Sequence, residues 1–197
     1  MNTKLASAVL GGCAALSLSS VALAQRSVSY SGDGRPSRIF RPVSGLNGND
    51  SKFLKDAAVA HIFEIQTSKI AEDHANSPFT KQYAKEMSAD HAASLEELKK
   101  IASDKGVELP SDLPIPEQRT VNYLSRLNGD DFDSAYRRTQ IGHHGEASIK
   151  FKDEIDNGRD EDVKNYAVKT LPAVTMHYKL AKIQRTMMGP TKYDHGI

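Results

Sequence analysis

At 197 residues, with 39% hydrophobic residues, 7% aromatic residues and no Trp, the chain has room for one ordinary domain with appendages and a modest core. Its 26 basic and 25 acidic residues lack the basic excess of a dedicated nucleic-acid binder, which excludes that class. A single cysteine, Cys13, excludes an internal disulfide framework.

Met1–Ala24 places Lys4 ahead of an apolar run broken only by Gly and Ser, and ends in Ala22-Leu23-Ala24 before Gln25. That order of charge, apolar run and small-x-small site predicts a secretory signal peptide over residues 1–24, and hence an exported protein of the periplasm or cell envelope. The run is weakly hydrophobic for a membrane span, so no transmembrane segment is expected after processing. Leu10-Gly11-Gly12-Cys13 resembles a lipoprotein box, in which Cys13 would carry the lipid, but apolar sequence continues past Cys13 to the better cleavage site. Cleavage after Ala24 removes Lys4 and no acid, leaving 25 basic against 25 acidic residues and no thiol. Gln25–Asn49 is rich in Gly, Ser and Arg without a sustained period, and reads as a flexible, locally basic leader.

Asp50–Ala75 is the first long helix, with Asp50 or Ser51 as cap. Phe53, Ala57, Ala60, Glu64, Thr67 and Ala71 form its inner stripe, flanked by Ile62 and Ile65, with His61 one turn before Glu64. Ser77–Lys105 is the second and most periodic helix. Phe79, Tyr83, Met87, His91, Ser94, Leu98 and Ile101 follow at three- and four-residue steps, Ser77-Pro78 starts it and Gly106 stops it. Pro110, Pro114 and Pro116 then open a long connection, within which Glu117–Leu127 could form a short helix. Asp131–Asn157 is the third long helix, with Phe132, Tyr136, Gln140, His144, Ala147, Phe151 and Ile155 inward. Gly142 and Gly145 weaken a helix interior by up to ~1 kcal/mol each, which suggests close backbone approach around His143 and His144. Asp160–Met188 is the fourth, with Val163, Tyr166, Thr170, Val174, His177, Ala181 and Gln184 inward and a kink expected at Pro172. Residues 189–197 form a tail.

Four helices of similar length, with short turns after the first and third and a long crossover after the second, predict an all-α, up-down-down-up four-helix bundle spanning residues 50–188. Glu64, His91, His144 and His177 each lie near the middle of a helix, so in a bundle of equal rods they converge on one layer. One carboxylate and three imidazoles at one level of a core form a metal-ligand set. Burying them without partners costs several kcal/mol. A hydrogen-bonded network with Asp90, Gln140, Tyr83 and Tyr136 is the alternative, and His61, Asp90 and His143 stand close enough to substitute.

The run Phe53–Glu64, Met87-x-x-Asp90-His91, Leu109-Pro110, Phe132-Asp133-x-x-Tyr136 with Gln140 and His144, and Leu171-Pro172 with His177 resemble the exported group known as domain-of-unknown-function family 4142. The resemblance implies a ferritin-like fold, an envelope location and no established activity. Metal-active ferritin-like proteins place a Glu three residues before each ligand His, whereas Ser88, Ile141 and Val174 hold those positions here. The set expected from the residues is therefore a single Zn, Cu or Fe ion on Glu64, His91, His144 and His177, without di-iron chemistry. No nucleophile elbow, phosphate loop or H-E-x-x-H motif suggests an enzyme. The competing class is a structural or interaction module of the envelope, acting through a protein partner or as a homo-oligomer, whose polar layer fixes helix register.

Overall fold

The computed structural model describes residues 45–188. The signal peptide expected over 1–24, most of the leader and the tail from 189 lie outside those residues. Five helices and no strand occur among them: α1 (Gly48–His74), α2 (Pro78–Lys105), α3 (Ile115–Leu124), α4 (Gly129–Asn157) and α5 (Glu161–Met188).

Local chemistry sets the helix ends. Asn47, not Asp50 or Ser51, caps α1. Its side chain accepts from the amides of Asn49 and Asp50, while the Asp50 carboxylate accepts from the Asn47 amide at 2.6 Å, a reciprocal box that satisfies several orphan donors. Ser77 caps α2, and Gly106 ends it in the left-handed region (φ 68°), where a side chain would be strained. Asp160 caps α5 by accepting from the amides of Asp162 and Val163. The short helix starts at Ile115 rather than Glu117, because Pro116 falls in its first turn, where the missing amide breaks no bond. Helix α5 continues through Pro172, whose ring faces solvent.

Each long helix packs on two others: α1 on α2 and α4, and α5 on α2 and α4, with α3 resting against α1 and α4. The core divides into two apolar clusters. One gathers Phe53, Leu54, Leu98, Phe151, Val163 and Tyr166, and the other Tyr83, Met87, Leu124, Phe132, Tyr136 and Ala181. Each fully buried Leu or Phe contributes about 1.5–3 kcal/mol. Along every long helix a polar residue falls between the stretches that feed these clusters: His61 and Glu64, His91, Gln140 and His144, and His177. The expected close approach at the two glycines of α4 is not found. A side chain at Gly142 would meet nothing within 4 Å, and one at Gly145 only the Tyr178 ring, at an ordinary 3.6 Å.

Candidate metal centre

The polar layer is buried. His61, Glu64, His91, Gln140, His144 and His177 are all buried, none more than 6% exposed. His91, His144 and His177 offer one ring nitrogen each, all within 4.8 Å of one another. Their rings form a near-equilateral triangle, with centroid separations of 5.4 to 5.5 Å.

The back of each ring is fixed by a partner, and those partners decide where the lone pairs sit. His144 donates from Nδ1 to the carbonyl of Gln140 at 3.0 Å. His177 donates from Nε2 to Asp90 at 3.0 Å. His91 is fixed through a relay. The Tyr166 hydroxyl lies 2.6 Å from His61 Nε2 and 3.3 Å from the Ser94 carbonyl; when its proton goes to that carbonyl, it accepts from His61 Nε2. That leaves His61 Nδ1 to accept from His91 Nδ1 at 2.9 Å. The nitrogens left over are His91 Nε2, His144 Nε2 and His177 Nδ1, and each is buried without a hydrogen-bond partner. Three orphaned acceptors in one layer are an uncompensated cost unless something binds them.

Burial keeps His61, His91 and His144 neutral. Burial pushes His61 down to about 4 and, with the neighbouring His177, His144 down to about 3. Burial, then His61, His144 and His177, holds His91 well below the usual imidazole value. Neutral imidazole is the state that binds a metal.

Of the four residues expected from sequence, the fold brings three together, and Glu64 stands behind them. Its Oε1 lies 3.8 Å from His144 Nδ1, the nitrogen committed to Gln140, and its Oε2 accepts from Gln140 Nε2 at 2.7 Å. Burial raises Glu64 to about 8 against that hydrogen bond. Asp90, 57% exposed at its side chain, supports His177 on α5 rather than its chain neighbour His91. His143 stacks on Phe63 at 4.0 Å. The sequence placed His61 one turn before Glu64, near enough to substitute as a ligand, but carried no sign of its contact with His91, because that depends on Tyr166 across the core.

An ion drawing three nitrogens to ~2.0–2.1 Å in tetrahedral directions would set them about 3.4 Å apart. The three nitrogens already lie within 4.8 Å of one another.

Among solved structures, the fold is similar to a DUF305 protein from Streptomyces coelicolor (16% identity, 76% of this chain and 98% of that one, TM-score 0.64). It is also similar to a DUF305 fragment from Deinococcus radiodurans (12% identity, 70% and 95%, TM-score 0.62). A third similar structure is CopM in its Cu(I)-bound form (17% identity, 72% and 98%, TM-score 0.61). No curated protein matches the chain. A family model covers residues 40–183, most of the chain, and the chain belongs to the family it describes, Domain of unknown function (DUF4142).

Proposed function

We propose that this is an exported ferritin-like protein that holds a single Zn, Cu or Fe ion on His91, His144 and His177, with Glu64 behind His144 as a nearby carboxyl. The observation that carries the reading is that His91, His144 and His177 each bring a ring nitrogen within 4.8 Å of the other two, while each also keeps one buried ring nitrogen without a partner. Neutral nitrogen donors suit Zn, Cu and Fe, and the all-imidazole set leaves Ca and Mg, which take oxygen ligands, poorly served. The Cu(I)-bound form of CopM, a similar fold, agrees with this choice. The Met1–Ala24 pattern supports export, as does the provisional description of the Streptomyces neighbour as secreted.

An up-down-down-up course of the four long helices is part of the reading. Helices α1 and α5 meet the Phe53 cluster before the Tyr83 cluster, and α2 and α4 meet them in the reverse order, as such a course requires.

The test is metal analysis and melting of the mature protein without a polyhistidine tag. One ion per chain, or a rise in melting temperature with added Zn(II), Cu(I) or Fe(II), is expected. Neither would leave a polar layer that only sets helix register.

A further inference from the structure

We infer that the Met87 thioether is a fourth ligand of this centre, which makes Cu(I) its preferred ion; the inference rests on the metal reading above. Tyr83, Met87 and His91 are consecutive turns of one face of α2. His177 reaches both neighbours of Met87. Its ring lies 5.4 Å from that of His91 and 6.5 Å from that of Tyr83, and its carbonyl accepts from the Tyr83 hydroxyl at 3.2 Å. Met87 sits on α2 between those two contacts, so it shares the height at which His177 crosses.

Side chains of a helix lean toward its N-terminus, so the His91 ring lies over the turn that carries Met87. Met87 is fully buried, in the same cluster as Tyr83, Tyr136 and Ala181, the last one turn beyond His177. Its three rotatable bonds let the sulfur swing toward an ion without moving the backbone. Three imidazoles alone serve Zn(II) and copper alike. A thioether is a soft donor, and in a buried site without an adjoining thiolate it tips selection toward the monovalent, polarisable ion. The nearest competing sulfur in sequence, Met176, is 54% exposed on the far side of α5.

The experiment compares wild type, Met87→Leu and Met176→Leu, mature and tag-free, for Cu(I) affinity against a chromophoric chelator without oxygen, and for Zn(II) affinity. X-ray absorption at the copper edge of the loaded proteins completes it. Leu nearly conserves the volume of Met, so folding is retained. The expected result is a loss of about tenfold or more in Cu(I) affinity for Met87→Leu only, as for any lost soft ligand. Zn(II) affinity should stay near wild type, and a sulfur neighbour of copper should vanish in Met87→Leu. Binding of either ion by wild type with no sulfur at copper, or an unchanged Cu(I) affinity in Met87→Leu, overturns this inference while the three-histidine centre stands. Absence of binding by wild type overturns both.

Discussion

Replacing His144 by Ala separates a metal centre from a register-setting layer, because the two ideas disagree about a difference rather than an absolute stability. The substitution removes a ring packed edge-on against His91 and His177 at 5.5 Å and frees the Gln140 carbonyl it donated to. Loss of a buried hydrogen bond and of that packing costs about 1–3 kcal/mol with or without an ion. The ion-dependent part is distinct. At a free ion concentration about 100 times Kd, wild type gains about 2.7 kcal/mol. At ~2–4 °C per kcal/mol for a domain of this size, melting rises by about 5–11 °C. Losing one of three nitrogens and about 100-fold in affinity leaves RT ln 2, about 0.4 kcal/mol, or roughly 1 °C. The assay is calorimetric melting of each protein with chelator and with Zn(II) at one fixed concentration. An equal rise in both proteins would refute the assignment of His144, whatever the absolute melting temperatures.

Three further outcomes follow from named contacts. Asp90→Ala removes the acceptor that orients His177 and should weaken Zn(II) binding by about tenfold or more, the usual size for a partner behind a ligand, with little change in melting under chelator. Gly142→Ala fills open, exposed space on α4 and should stabilise the protein by up to ~1 kcal/mol, read as a higher urea midpoint. At the end of the bundle where α1, α4 and α5 meet, Glu154 is raised from 4.5 to about 8 by burial and then by Asp50 and Asp153, opposed by Lys164. A raised carboxyl stabilises fully below its unfolded value and progressively less as pH climbs from 4.5 through 8. Asp50 works oppositely: burial is outweighed by hydrogen bonds from Asn47, Arg159 and Glu154, which lower it, so its contribution fades only below 3.8. Unfolding free energies from urea titrations at pH 5 and 8.5 should therefore differ more in wild type than in Glu154→Gln, by at most about 2 kcal/mol after allowance for screening.

The helices were legible because their signals are local. Ser77-Pro78, Gly106 and the three- and four-residue spacing on α2 depend on nothing outside that segment, and the ends of the four long helices lie within two residues of those expected, whereas the short helix ends at Leu124, three residues before the expected Leu127. The meeting of His91, His144 and His177 was legible for a related reason: mid-height residues on inward faces have few other places to go. What the pattern could not carry is which edge of a ring faces the centre. Glu64 occupies an inward position as good as His91, yet the Gln140 amide turns its carboxyl to the back of His144. The glycines of α4 misled in the opposite sense. A weak helix former invites a packing explanation, and at Gly142 there is nothing to pack against.

The hydroxyl of Tyr166 is linked through His61 to Nδ1 of His91, so its proton bears on which side of that imidazole is basic. Among the described helices Tyr166 lies on the last to be synthesised, whereas His61 and His91 lie on the first two. Until α5 docks, nothing on the earlier hairpin chooses between the two tautomers of His91, and His177 is not yet in place. In the proposed centre, capture of an ion would thus close folding rather than nucleate it, and a chain cut short before α5 would lack His177.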